Sequence, residues 1–252
     1  MIAVPERVSI ELTRRCQKAC DFCYNQSGPQ AQDAWAPEDV IGFVKSIAQH
    51  GTRAVSLGGG EPLQYPGLDE VFGALSGLVF LSMTTNGLLL DQQLERISRL
   101  NPNKVHISIH YPKRRGEVER VTRQVLLLRR MGIRAGVNLL VRHDEIPVVA
   151  DVARQLRDAG ITNESIVYLP MRGQAHTPTP ADIAHVAGGP FQSMTCLGTC
   201  GKSPQFCSLN ARQEAAHCSY TTERRKLASL DAAGLSHALK GLGLRYCGVD
   251  PS

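Results

Sequence analysis

Short apolar runs alternate with helix-periodic segments along most of the chain. Six runs read as strands: Arg7–Leu12, Arg53–Leu57, Val79–Thr84, Lys104–His110, Arg134–Val141 and Ser165–Met171. Their Val, Ile and Leu come in near-continuous blocks, as in parallel strands covered on both faces. Helical periodicity marks Pro37–His50, Asp91–Leu100, Gly116–Met131 and Ile146–Ala159. In the first of these, Val40, Ile41, Val44, Ile47 and Ala48 recur at a spacing of three and four. Pro37 stands at a first helical position, Asp91 precedes its helix, and Gly51, Gly132 and Gly160 stand where helices end.

Strand–helix units in this order predict a right-handed βα wind. A partial barrel and a doubly wound open sheet both fit the pattern. The first connection is the longest, because it carries a cysteine loop. In βα barrels the C-terminal strand ends form the active face, and the chemically informative motifs all follow strands. The texture changes after about Pro178: HTPTPAD reads as a linker or turn, and a cysteine-rich tail with a helical pattern at Thr222–Leu242 follows. The expected division is 1–178 for the βα domain and 179–252 for a small second module.

Composition narrows the class. The chain has 252 residues, 42% of them hydrophobic and 20% charged, which is enough to bury a core without disulfide staples. No apolar stretch approaches the ~20 residues of a membrane span. The start MIAVPERVSIEL has no basic segment followed by an apolar run and a cleavage site, so a cytoplasmic address is expected. In that reducing compartment eight cysteines point to metal or redox chemistry. Against 23 acidic residues stand 28 basic ones, a net +5 that suits an acidic ligand but is too scattered to argue nucleic-acid binding. The densest basic run, Lys113–Arg114–Arg115 with Arg120, Arg123, Arg129 and Arg130, reads as a solvated helix face.

The candidate chemistry begins after the first strand. Cys16, Cys20 and Cys23 are spaced C-x3-C-x2-C. A four-iron cluster usually has four cysteine ligands. Three leave one iron open to a ligand, whereas a structural zinc site asks for four protein ligands. This spacing, with Phe22 just before the last cysteine, resembles the radical S-adenosylmethionine (radical SAM) superfamily over roughly residues 5 to 178. The resemblance implies a partial (β/α)6 TIM-like barrel. It also implies a [4Fe-4S] cluster on these cysteines and S-adenosylmethionine on the open iron. Reductive cleavage to a 5′-deoxyadenosyl radical and abstraction of a substrate hydrogen atom would follow.

Further motifs fit the resemblance. In Leu57-GGGEP, Gly59, Gly60 and Glu61 match the element that contacts the cofactor's amino group. Asn86 belongs to a TTNG segment like that of the molybdenum-cofactor cyclase and peptide-maturase branches. Ser108, Asn138, Arg142 and Leu169, at the ends of later strands, are expected cofactor contacts. A guanidinium suits the cofactor's carboxylate and a carboxylate suits its ammonium.

The tail supplies Cys196, Cys200, Cys207, Cys218 and Cys247, and resembles a shortened SPASM/Twitch auxiliary-cluster module. One auxiliary [4Fe-4S] cluster is expected, with Cys207, Cys218 and Cys247 as ligands and Cys196 or Cys200 completing the set. Closed sulfur-rich sites suit zinc as well. The histidines, among them His110 and His217, read as structural, and no hydrolase-type catalytic set is present. No catalytic side chain is assigned, because the hard chemistry belongs to the cofactor. The expected substrate is a ribosomally made peptide, with crosslinking, epimerisation or dehydrogenation as outcomes. Oxidation or rearrangement of a small metabolite is the alternative. An electron donor such as flavodoxin or ferredoxin is expected, with no membrane partner. A nucleic-acid-modifying enzyme and a zinc-bound interaction module are the readings from other classes.

Overall fold

The structure, a computed structural model, describes residues 2–172, 176–192 and 205–243. Of the eight cysteines, Cys196, Cys200 and Cys247 lie outside the described residues. The fold is mixed α/β. Six strands, each followed by a helix, run in chain order: β1 (Arg7–Thr13), α1 (Pro37–Gln49), β2 (Ala54–Gly59), α2 (Leu68–Leu75), β3 (Phe80–Thr85), α3 (Leu94–Leu100), β4 (Lys104–Ile109), α4 (Arg115–Arg130), β5 (Ala135–Val141), α5 (Ile146–Asp158), β6 (Ile166–Pro170) and α6 (Pro180–Ala187). Then come β7 (Phe206–Leu209), β8 (Glu214–Ala216), β9 (Arg225–Lys226) and α7 (Ala232–Leu239).

The residues group into two compact units. The first holds described residues 2–85, 93–103 and 205–243. Its strands run in the order β3-β2-β1-β7-β8-β9. β1 pairs in parallel with β2 and with β7, while β7–β8 and β8–β9 are antiparallel. With both edges of β1 taken, the sheet is not closed through it. Val8, Ile10 and Leu12 alternate along β1 and are buried. In α1 the buried set is Val40, Phe43, Val44 and Ile47, one stripe at helical spacing. Removing such a side chain from water stabilises the fold by roughly 1.5–3 kcal/mol. Ser9, Glu11 and Thr13 point to the opposite face of β1. There Ser208, Ser9, Ser56 and Ser82 stand in register on β7, β1, β2 and β3.

Trp35 fastens the tail to this unit. Its Nε1–H donates to the Asn210 carbonyl at 2.9 Å, its carbonyl accepts from the Tyr65 hydroxyl at 2.9 Å, and its ring lies 5.7 Å from that of Phe43. The tail helix α7 is capped by Asp231, which accepts from the Gly234 N–H at 2.7 Å. Its first N–H donates to Ser46 of α1 at 3.0 Å.

The second unit holds residues 86–92, 104–172 and 176–192. Its strands β4, β5 and β6 are parallel. Arg120 and Gln124 of α4 bind the turn at Asn86–Gly87: Gln124 Nε2 donates to the Gly87 carbonyl at 2.9 Å, and Arg120 donates to that of Asn86 at 3.3 Å. The basic run of α4 is therefore not wholly a solvated face. Arg123 also pairs with Asp91 at 2.6 Å.

Several elements differ from the sequence pattern. α2 was not expected, although Leu68, Val71, Phe72 and Leu75 are buried at helical spacing. The HTPTPAD segment opens α6, with Thr179 and Asp182 forming a capping box. The helix expected over Thr222–Leu242 shrinks to α7, because Arg225–Lys226 extends the sheet as β9. Gly51, Gly132 and Gly160 do end their helices, with φ of 114°, 82° and 85°. Among the described residues no helix is long and apolar enough to cross a membrane.

His106 of β4 is buried and its Nε2 has no hydrogen-bond partner among the described residues. Its register partner is Gly136, where a Cβ would lie 2.8 Å from the imidazole ring. Burial, and then the Lys104 charge, push the imidazole down to about 3. The unfolded chain binds a proton below its ordinary pKa near 6.5 and the folded chain does not, so this term is fully present above ~6.5 and is lost as pH falls. By pH 5 the loss is about 2 kcal/mol. Denaturant melts at pH 7 and pH 5 should show that difference in wild type and not in His106→Leu; parallel profiles would count against it.

Candidate metal centre

The loop from residue 14 to residue 28 carries the three cysteines and belongs to the first unit. Its ends are pinned together by backbone bonds: Cys16 N–H donates to the Gly28 carbonyl at 3.1 Å, and Gly28 N–H to that of Arg14 at 3.0 Å. A tighter turn inside it is closed by Cys23 N–H on the Cys20 carbonyl at 3.1 Å. Cys16 is buried, while Cys20 and Cys23 are half-buried, as is Phe22 between them.

Arg14 holds the returning leg of the loop. Its guanidinium donates to the Asn25 carbonyl at 2.9 Å, to the Gln26 carbonyl at 2.9 Å and to Asp33 Oδ2 at 2.6 Å. That contact keeps the Asp33 carboxyl below the usual carboxylate range. Gln26 adopts φ 54°, an unusual conformation for a residue with a side chain, and the Arg14 bond secures it. Asn25 then acts as a hub. Its Oδ1 accepts from the Ser27 N–H at 3.2 Å and lies 3.0 Å from Cys23 Sγ, while its Nδ2 donates to Glu11 Oε2 at 3.2 Å. The Ser27 N–H also reaches Cys23 Sγ at 3.4 Å, a donor that serves a thiolate as well as a thiol.

The end of β2 lies directly against this loop. Gly60 N–H donates to the Thr13 carbonyl at 2.6 Å, and Glu61 N–H to the Arg15 carbonyl at 2.9 Å. Gly59 has φ 117°, and a Cβ on it would stand 2.5 Å from the Thr13 carbonyl oxygen. A Cβ on Gly60 would run into the Arg15 carbonyl. Packing of backbone on backbone therefore requires both glycines, whatever else they admit. Glu61 is fully buried, and its Oε1 accepts from the Leu63 N–H at 3.1 Å and from the Thr85 hydroxyl at 2.8 Å. An ammonium on this carboxylate would join bonds that already tie β2 to β3.

Among the described residues no three His, Cys, Asp or Glu side chains converge as a single bound ion requires. A cluster held at its corners by three thiolates does not ask for that convergence. The donor set, three cysteines on one pinned loop with a preserved N–H to sulfur, fits such a cluster. In the tail, Cys207 is wholly buried on β7 opposite Val8, and burial pushes its thiol far up. Cys218 is half-buried, with the Tyr220 N–H 3.5 Å from its sulfur.

The remaining expected residues belong to the second unit. Ser108 and Asn138 are register partners and share one strand face with Leu169. Asn86 accepts from the Leu88 N–H at 2.9 Å. Arg142 follows β5, with its Nε 3.5 Å from Asp144 and 3.6 Å from Glu145, the latter also 3.3 Å from Lys113. Two residues of the first unit escaped the sequence reading, Glu11 and Arg14. A lone acidic residue inside the apolar run VSIEL was the available signal for Glu11.

Comparison with known proteins places these features. A family model described as the radical SAM superfamily matches residues 10–177, more than half of the chain. A GTP 3′,8-cyclase from Aquifex aeolicus (strain VF5) is 28% identical over 179 residues, covering 64% of this chain and 55% of the relative. A probable GTP 3′,8-cyclase from Aeropyrum pernix is 30% identical over 150 residues, covering 52% of this chain and 42% of the relative. The chain thus spans about half the length of the curated relatives it matches. Streptococcus suis SuiB bound to S-adenosylmethionine superposes with a TM-score of 0.68 at 12% identity, over 89% of this chain and 63% of that one. The enzyme anSMEcpe, with AdoMet and the Cp18Cys peptide, superposes at 0.66 and 14% identity, over 90% and 77%. These structural likenesses show the fold, a partial TIM-like barrel that is not closed.

The close backbone contact yields a test. Gly60→Ala should destabilise the protein by about 1–3 kcal/mol, as overpacking does, and should lower the iron retained after anaerobic reconstitution. At Gly58 a Cβ meets nothing within 4 Å, so Gly58→Ala should melt and load iron like wild type. Equal iron content and equal melting in the two variants would refute the packing argument.

Proposed function

The chain belongs to the radical SAM superfamily, and on that premise we propose that it abstracts a hydrogen atom from a small polar metabolite, with purine nucleotides the first candidates. Membership makes it an enzyme that uses a [4Fe-4S] cluster and S-adenosylmethionine. When bound, this pair supplies one-electron reductive chemistry. In the proposed reading Cys16, Cys20 and Cys23 hold the cluster, and Arg14 and Asn25 fix the loop that presents them. Gly59, Gly60 and Glu61 face the cofactor's amino group. Asn86, Ser108, Asn138, Arg142 and Leu169 are its other proposed contacts, on the strength of the sequence motifs. Flavodoxin or ferredoxin is the proposed electron donor.

The observation that carries the substrate class is the set of curated relatives, several of which are named for GTP. The sequence alone put a ribosomal peptide first, on the resemblance of the tail to an auxiliary-cluster module. The relatives move the small metabolite ahead. An auxiliary cluster on Cys207, Cys218 and Cys247, with Cys196 or Cys200 as the fourth ligand, is part of the proposal. Iron analysis of the holoprotein reads it directly, because the first cluster alone accounts for about four irons per chain.

The substrate class is tested by isotope transfer. Reduced, reconstituted protein is incubated with S-adenosylmethionine and GTP deuterated on the ribose. The expected result is deuterium in the 5′-deoxyadenosine formed. Transfer from a deuterated peptide and none from the nucleotide would reverse the order of the two readings.

A further inference from the structure

Glu11 is a carboxylate in an unusual place. It lies within β1, is 2% exposed, and its Oε1 has no hydrogen-bond partner among the described residues. Its other oxygen accepts from Asn25 Nδ2 at 3.2 Å. A buried acceptor left unmet costs about 1–3 kcal/mol and more when charged, so such a group calls for an explanation. Asn25 and Tyr24 engage the carboxylate from the cysteine loop, and Oε1 is still left over among the described residues.

The surroundings point to a ligand. Glu11 stands on the sheet face away from the packed Val8, Ile10 and Leu12, just above the row of serines. Its register partner on β2 is Gly58, where a Cβ would meet none of the described residues within 4 Å. The carboxylate therefore stands beside open space on its own face. Ser208, one row below, is fully buried and its Oγ is also without a partner among the described residues. Arg224 is near enough for its charge to act on Glu11, and its Nη1 is buried and unpartnered, while Nη2 donates to the Ser219 carbonyl at 2.6 Å. An acceptor, a hydroxyl and a guanidinium donor, all unmet, belong to the unit that carries the cysteine loop.

We propose that Glu11 anchors the substrate, its free oxygen accepting hydrogen bonds from N–H groups of a ligand seated over Gly58, with Arg224 donating to an acceptor or anionic group of the same molecule. The proposal rests on the nucleotide reading above. Within that class the matching edge is that of a guanine-type base, whose adjacent ring N–H and exocyclic NH2 present two parallel donors to one carboxylate. Burial raises the carboxyl's pKa above its ordinary value, while Asn25, Arg224, Tyr24 and Arg14 oppose that shift. A donor-rich ligand edge would oppose it further.

The test is equilibrium binding of GTP to the reconstituted full chain by calorimetry, with inosine triphosphate, which lacks the exocyclic amino group, as comparison. Wild type should bind GTP at least about tenfold more tightly than the inosine nucleotide, the scale of one lost charge-assisted hydrogen bond. Glu11→Gln should lose that preference and about tenfold in GTP affinity while keeping its melting temperature and iron content. Gly58→Val, which fills the space beside Glu11 and leaves its carboxylate in place, should weaken both nucleotides. GTP binding equal in wild type and Glu11→Gln overturns the anchoring role and leaves the nucleotide reading standing. Absence of GTP binding by wild type overturns the nucleotide reading and the proposal with it.

Discussion

The candidate site depends on how closely two stretches of backbone approach. The end of β2 lies on the end of β1 through Gly60 N–H to Thr13 and Glu61 N–H to Arg15. Side chains are excluded there, so the chain can bring the glutamate-bearing turn beside the cysteine loop only through glycine. The loop is then closed from within by the three-way grip of Arg14 on Asn25, Gln26 and Asp33. A guanidinium can do this because its donors are rigidly splayed and its charge is permanent.

Much of the fold was legible from periodicity. Six strands were expected and found, because parallel strands buried on both faces leave uninterrupted apolar blocks. α2 was hidden by its length of eight residues and by Gly73 within it, although its buried stripe is regular. β7, β8 and β9 were hidden because strands of four, three and two residues carry too little pattern to register. Proline and threonine near residue 179 read as a turn, yet the same residues are a helix start once Asp182 completes the capping box.

The site was legible where chemistry needs a fixed spacing, and not where it needs a tertiary neighbour. Cys16, Cys20 and Cys23 announce themselves within one loop. The glycines of the GGGEP turn read in the sequence as room for a ligand, while the structure shows the backbone they must accommodate. Arg14 carried no signal of its own in the sequence, since its partners at Asn25, Gln26 and Asp33 are unremarkable singly. Glu11 passed as a strand residue, because its significance lies in Gly58 and Ser208, which come from other strands.

Trp35 is the only tryptophan in the chain, and it is buried where the loop after β1 meets the Asn210 carbonyl. The indole that locks the tail in place is consequently an intrinsic fluorophore set at that seam. Its emission wavelength reports, without any label, whether the C-terminal strands are seated on the N-terminal one.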